Sequence, residues 1–324
     1  MKPFALTIFT EPIYAEDFIG RAKSFVRPLK YFLQGRELPG KKKFGGHYAV
    51  TRSLIEGLNK INADFNYNPS YEKDIRENVI VLAGVERLKK IIRLKNKGKI
   101  RRLFAGPNIC ESPNEEDGIL ADQAIDVCIV NSQWTREAFI AERNELKERI
   151  GIWYAGVATD YWKPQGPARS RDAIVYCKTN DTAFCKEVED IVRDSSYNVI
   201  RIQYGNYNIE EYKDALSRSS FAVFLSKSES QGIALTEAWS MNVPTYVWDP
   251  REVIYKNGIA VETTSCPYLT KETGLRWKET AELKNILAQT NENSLSFEPR
   301  KQVMDLFSDE QSARNLVNMF VSVN

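Results

Sequence analysis

The feature that most constrains this chain is a repeated alternation of short apolar runs with longer helical patterns. Residues 4–9, 78–84, 102–107 and 124–130 are runs of strand length, and glycine or a capping residue follows the last three. Between them, Val50, Leu54, Ile55 and Leu58 are spaced for one face of a helix. Asn131 and Ser132 cap another helix that begins near Trp134. Residues 161–167, Tyr-Trp-Lys-Pro-Gln-Gly-Pro, read as a linker, after which the alternation restarts. Strands are expected at 173–177, 198–204, 221–226 and 244–248, and helices at 182–193, 207–217 and 232–241. Short strands alternating with helices imply parallel sheets covered on both faces. Two such runs imply an α/β chain of two Rossmann-like domains facing a central cleft, with ligands at the carboxyl ends of the strands. The expected division is 1–163, 164–305 and a final segment 306–324, whose helix at 308–321 is expected to return to the first domain.

The chain has 324 residues and a net charge of only +2, so no strong overall field points to nucleic acid. No apolar run approaches the ~18 residues of a spanning helix. The apolar part of the N-terminus is short for a signal peptide, and Glu11 and Pro12 interrupt it. The five cysteines (110, 128, 177, 185 and 266) contain no Cys-x-x-Cys pair, and free thiols in a reducing cytoplasm are expected. With His47 the only histidine, no metal site is expected.

The segment Ser226-Lys227-Ser228-Glu229-Ser230-Gln231-Gly232-Ile233-Ala234-Leu235-Thr236-Glu237-Ala238-Trp239 reads as a strand end, a polar turn, a glycine and a helix. A helix opening at Gly232 presents free N–H groups and a positive dipole end, which suits a diphosphate. Glu229 lies in the turn and Glu237 within the helix, and each carboxylate can accept two sugar hydroxyls. On these grounds alone the segment equally describes a capped surface helix.

The pattern Ser-x-Glu-x-x-Gly-x-x-Leu-x-Glu-Ala resembles the E-x7-E signature of retaining GT-B glycosyltransferases, closest to family 4. Further segments resemble that family in order along the chain: Gly45-Gly46 before a helix, Val130-Asn131-Ser132-Gln133-Trp134, residues 156–164 (Gly-Val-Ala-Thr-Asp-Tyr-Trp-Lys-Pro), and Pro244 before a strand. The resemblance implies a GT-B fold and a donor that is a UDP- or GDP-sugar, with no further cofactor. It implies that Glu229 binds donor-sugar hydroxyls and Glu237 the ribose. The amides of Gly232, Ile233, Ala234 and Leu235 would meet sugar and diphosphate, and Gly46 would approach the diphosphate from the other domain. Gly205 falls where the nucleobase loop begins. Tyr207 is expected either to line the base or to be a core tyrosine.

The sequence departs from the family in two places. The usual arginine after the first strand of the second domain is absent, and Lys178 is taken as the phosphate cation beside Glu229 in the catalytic group. Lys186 reads as a solvated helix lysine. The usual first-domain histidine is replaced by Ala105-Gly106-Pro107-Asn108, which leaves Asn108, with His47, as acceptor-side candidates. The chain has no Asp-x-Asp, so the metal-dependent glycosyltransferase architecture has no support.

Residues 35–42 nearly match a phosphate-binding P-loop, but Lys42 stands where Ser or Thr would hold magnesium. Residues 86–102 carry nine basic side chains against one acidic, with Leu88, Ile91 and Ile92 as an apolar stripe. This segment reads as a solvated helix face, as a peripheral contact with an anionic membrane, or as a nucleic-acid contact. The expected partners are a nucleotide sugar and a glycan or lipid-linked acceptor, with no nucleic acid. The rivals to a glycosyltransferase are a catalytically silent sugar-nucleotide binder and an adaptor using residues 86–102.

Overall fold

A computed structural model describes residues 4–11, 46–166 and 171–323. The near-P-loop at 35–42 and Gly45 lie outside the described residues.

The apolar runs pair as two separate parallel sheets. The first has the order β2-β1-β3-β4-β5-β6, from β1 (Ala5–Phe9), β2 (Asp64–Tyr67), β3 (Asn78–Ala83), β4 (Arg102–Asn108), β5 (Val127–Val130) and β6 (Ile150–Ile152). Every residue of β3 is buried, as a strand covered on both faces requires. β5 is shorter than the apolar run suggested. Asp126 spends its carboxylate on Leu103 N (2.6 Å) and Lys95 Nζ (2.7 Å), and the ladder starts only after it.

The second sheet has the order β13-β10-β9-β7-β8, from β7 (Asp172–Cys177), β8 (Asn198–Gln203), β9 (Ser219–Leu225), β10 (Thr245–Trp248) and β13 (Gly274–Trp277). The strand order reverses between β7 and β9. That reversal opens a crevice at their carboxyl ends, where ligands of open α/β sheets bind. A separate antiparallel hairpin joins β11 (Val253–Lys256) to β12 (Ile259–Glu262).

Among the described residues, three helices flank the first sheet: α1 (Gly46–Lys60), α2 (Val85–Asn96) and α3 (Gln133–Glu142). In α3 the Ser132 cap exchanges hydrogen bonds with Thr135. The second sheet carries α4 (Thr182–Asp194), α5 (Ile209–Arg218), α6 (Ile233–Ser240) and α7 (Thr280–Asn291). The last two helices are α8 (Pro299–Leu306) and α9 (Asp309–Ser322).

The stripe of α2 is not available to a membrane. Leu88, Ile91 and Ile92 are buried in the first domain's core with Val79, Leu103 and Phe139. Of the cations, Arg87, Lys89, Lys95 and Lys99 pair with Glu11, Glu86, Asp126 and Glu72. Lys90, Arg93, Lys97 and Arg101 are exposed and make no ion pair among the described residues.

The chain returns at its end to the first domain. Val157 N donates to Phe307 O and Asp309 N to Val157 O, at 2.9 and 3.1 Å. Gly57 and Gly156 permit the approach, because a Cβ on either would stand 2.1 Å from Asp309 O or 2.5 Å from its Cα. Helix α9 then lies along α1 and buries Ala313, Leu316 and Phe320 among Leu6, Ile8, Val50 and Leu54. Phe320 stacks on Phe104 with ring centroids 3.7 Å apart. Burying a side chain of this size contributes about 1.5–3 kcal/mol. The first domain's core is therefore completed by the C-terminal helix.

Candidate functional site

The strand reversal in the second sheet places two short segments side by side. Lys178 follows β7 directly, and its amide donates to Leu225 O, the last residue of β9, at 2.8 Å. The turn 226–232 follows β9 and carries Glu229. Their side chains meet in an ion pair, Lys178 Nζ to Glu229 Oε2, at 2.8 Å. Lys178 Nζ also lies 4.7 Å from the centre of the Tyr204 ring. Both charges are largely withdrawn from water, which strengthens their interaction over that of a surface pair.

Gly232 ends the turn with φ +81° and ψ 58°, the left-handed region that glycine enters without steric cost. Its conformation swings the chain into α6. The amides of Gly232, Ile233 and Ala234 make no hydrogen bond among the described residues. The Leu235 amide, expected among the donor-binding group, is already used by Gly232 O at 3.0 Å. Across the cleft, α1 begins at Gly46, where a Cβ would stand 3.7 Å from Ile233 Cδ1. Two helix N-termini therefore face one space, a geometry that favours an anion.

Glu237 lies one turn into α6, and no hydrogen bond or ion pair holds its carboxylate among the described residues. Burial pushes the carboxyl up to about 8, and Arg52 of α1 is the charge that opposes this. Tyr161, Tyr207 and Tyr212 lie near it; burial chiefly raises all three phenols, and the Glu237 charge adds to this. A carboxyl with so few partners is disfavoured in its charged form. Arg52 itself pairs with Glu56 at 2.6 Å and stands 5.3 Å from the centre of the Tyr161 ring.

The remaining sequence candidates are placed as follows. Tyr207 packs against Tyr176 and Tyr212 and shares a hydrogen bond with the Tyr176 hydroxyl at 3.0 Å, so it is both core-packed and at the site's edge. Gly205, at φ +78°, turns the loop after β8 in open space. His47 lies on the first turn of α1, where partial burial holds its imidazole below the usual value. Asn108 ends β4, half-buried, and no described contact joins it to the Lys178–Glu229 group.

Four residues that sequence reasoning did not single out fix the turn or face it. Trp134 Nε1 donates to Glu229 O at 2.8 Å from the first domain. The buried Gln231 side chain clasps the Ala155 backbone with both ends, 3.0 Å from its N and 2.6 Å from its O, and accepts from Asn131 at 3.2 Å. Asp249, at the end of β10, accepts from Ser265 N (2.9 Å) and Thr264 Oγ1 (2.8 Å), and Thr264 O accepts from Glu229 N (2.9 Å). Burial pushes the Asp249 carboxyl up, but these bonds together with Arg251 and Arg276 outweigh it and hold it below the ordinary range. The fourth is Arg52, already placed beside Glu237. Asn131 and Trp134 stand in the segment 130–134 and Gln231 in the turn before Gly232, both of which resemble the family, but nothing in the sequence marks Asp249 or Arg52.

Comparison with solved structures establishes the architecture. The chain is similar to the lipopolysaccharide outer core galactosyltransferase WaaB, with a TM-score of 0.58 and 11% identity over 98% of this chain and 99% of that one. It is similar to Anabaena HepE in complex with UDP and glucose, with a TM-score of 0.55 and 12% identity over 98% and 99%. It is also similar to sucrose-phosphate synthase from Thermosynechococcus elongatus, with a TM-score of 0.51 and 14% identity over 98% of both chains. The fold is GT-B. At such identities the likeness is one of fold. No protein-family model and no curated protein sequence matches the chain.

Proposed function

We propose that this protein is a retaining, metal-independent glycosyltransferase that moves a sugar from a nucleotide diphospho-sugar to a hydroxyl of a glycan or lipid-linked acceptor. The observation that carries the reading is the Lys178–Glu229 ion pair beside the unbonded amides of Gly232, Ile233 and Ala234, with Glu237 one turn further on. In this reading residues 1–163 carry the acceptor and 164–305 the donor, and 306–324 tie the C-terminus to the first domain.

The chemistry follows from where charge develops. The bond between the sugar's anomeric carbon and the phosphate oxygen breaks, leaving negative charge on the diphosphate and oxocarbenium character on the ring. Lys178 and the N-termini of α6 and α1 stabilise the leaving diphosphate. Gly46 lets the first domain approach it closely. Glu229 accepts hydroxyls of the donor sugar and holds Lys178 in place. The acceptor oxygen bonds the anomeric carbon on the face the phosphate leaves, and its proton passes to the departing phosphate oxygen. Glu237 accepts the ribose hydroxyls, and Tyr207 with the Gly205 loop borders the base. His47 and Asn108 lie on the acceptor side. HepE is described in complex with UDP, which favours UDP over GDP as the nucleotide to test first.

Peripheral attachment to an anionic membrane is proposed only as an electrostatic contact, through the exposed Lys90, Arg93, Lys97 and Arg101, since the apolar stripe beneath them is buried. The protein is expected to work in the cytoplasm.

The test is release of free nucleotide from a panel of UDP- and GDP-sugars, with and without simple glycan acceptors. One donor should be consumed. Lys178→Gln should slow that consumption by about a hundred-fold, the scale of losing one preorganised charge. Consumption unaffected by Lys178→Gln would sink the assignment of the leaving-group cation.

A further inference from the structure

The β11–β12 hairpin belongs to the second domain but rests on the first. Its Asn257-Gly258 turn has positive φ at both positions, 49° and 79°, which matches the tight turn of a twisted hairpin. Ile254 and Val261 pack against Ala138 and Ala141 of α3. At the tip, Asn257 Nδ2 donates to the carbonyls of Ala141 (3.3 Å) and Glu142 (2.8 Å). These are among the last carbonyls of α3, which no later helix residue can satisfy.

One carboxylate then carries the contact onward. Lys256 Nζ meets Glu142 Oε1 at 2.6 Å, and the Glu142 side chain is only 7% exposed. Its other oxygen accepts from Asn114 Nδ2 at 3.0 Å and from Ser112 Oγ. Burial pushes the Glu142 carboxyl up, but Lys256 and Ser112 outweigh it and hold it below the ordinary range. Ser112 and Asn114 belong to the loop that leaves β4 after Asn108. Within that loop, the Glu115 carboxylate bonds only the amides of Glu111 and Ser112. At its ends the loop is held elsewhere, Ile109 and Cys110 against the first domain's core and Glu116 by Lys89 of α2 at 3.6 Å. Its middle, Ser112 and Asn114, is held by α3's C-terminal end, through Glu142 and through Arg143, whose Nε donates to Asn114 Oδ1 at 2.9 Å.

We propose that the hairpin is a positioning element for the loop 109–116, acting through Glu142, so that the donor-side domain helps to shape the acceptor-side wall of the cleft. That the wall faces an acceptor rests on the glycosyltransferase reading; the positioning itself does not. A carboxylate this withdrawn from water needs its cation. Without Lys256 it takes up a proton, which weakens its bonds to Ser112 and Asn114, or turns outward, which releases them. The loop's geometry therefore depends on a residue of the opposite domain.

Hydrogen exchange of the full chain tests this, comparing wild type with Lys256→Glu, Glu142→Gln and Lys256→Arg. Exchange of amides in 109–116 is expected to rise about ten-fold in Lys256→Glu and by less in Glu142→Gln, which keeps an acceptor for Ser112 and Asn114. Lys256→Arg keeps the cation and should exchange as wild type. A wild-type rate in Lys256→Glu, or a rise no larger than that of a remote peptide such as 182–194, would overturn the proposal. An unchanged rate in Glu142→Gln would remove Glu142 from the path. A melting shift with UDP, measured on the same samples, reads the donor site separately. Its absence in wild type counts against the glycosyltransferase reading and leaves the exchange comparison intact.

Discussion

Replacing Glu237 with glutamine isolates the cost of keeping an unpartnered carboxylate in the cleft. In the fold this carboxyl titrates near 8 against an ordinary 4.5, chiefly because burial disfavours its charge, with Arg52 opposing. Between those two values the folded chain holds a proton that the unfolded chain has lost. Stability from this residue is therefore complete below pH 4.5 and drains away as the pH rises to 8. At about 1.4 kcal/mol per tenfold change in proton affinity, the ceiling is about 5 kcal/mol. Glu237 keeps an edge toward solvent, and screening there reduces the expected effect to about 2 kcal/mol. Glutamine does not titrate, so the difference between the two proteins removes every other ionisable group. Urea unfolding followed by tryptophan fluorescence from pH 5.5 to 9 gives that difference. Glu237→Gln should gain up to about 2 kcal/mol on wild type as the pH rises, and the difference should level off at the folded carboxyl's own value, at or below pH 8. A flat difference, or a wild type that gains on the mutant as the pH rises, would mean that Glu237 is already ionised in the empty cleft, and would refute the reasoning.

Arg52→Met removes the one cation acting against that burial, so the rise in the same difference curve should move to higher pH. Gly232→Ala forces a left-handed φ of 81° on alanine, which should cost about 1–2 kcal/mol in urea melts and weaken UDP binding in calorimetry. Gln231→Leu leaves the amide and carbonyl of Ala155 buried without partners, and at about 1–3 kcal/mol for each such group it should lower stability by about 2–4 kcal/mol. Phe320→Ala opens a hole beside Phe104 and should cost about 3–5 kcal/mol, measured the same way, by undoing the C-terminal closure of the first domain.

The elements that bury apolar runs were legible in the sequence. Residues 78–84 and 173–177 have no use outside a covered parallel strand, and the structure places β3 and β7 there. The edge elements were not legible. β2, Asp-Phe-Asn-Tyr, alternates polar and apolar residues but is only four residues long, and β6 is only three, so neither stands out as a buried run. The hairpin around Asn257-Gly258 was not picked out from the sequence, and nothing local says that it reaches the other domain. The stripe of Leu88, Ile91 and Ile92 fits a solvated helix face or an anionic surface from sequence alone, yet a helix beside a sheet buries that pattern first. At the site, the turn 226–232 and Lys178 stand out because polar residues follow apolar strands. Arg52 was hidden because α1 shows its buried face in the sequence and not which polar side chain looks into the cleft. Gln231 and Asp249 act through tertiary contacts with Ala155, Thr264 and Ser265, which lie far from them along the chain or across a loop.

The most direct test of the central claim is the melting temperature of wild type and Glu237→Ala with UDP, GDP, ADP and their sugars at millimolar concentration. A ligand that binds only the folded state raises the melting temperature. The account predicts a rise with one nucleotide series, UDP first, that is lost or much reduced in the mutant. No rise with any nucleotide, or an equal rise in both proteins, would contradict a donor site built on Glu229 and Glu237.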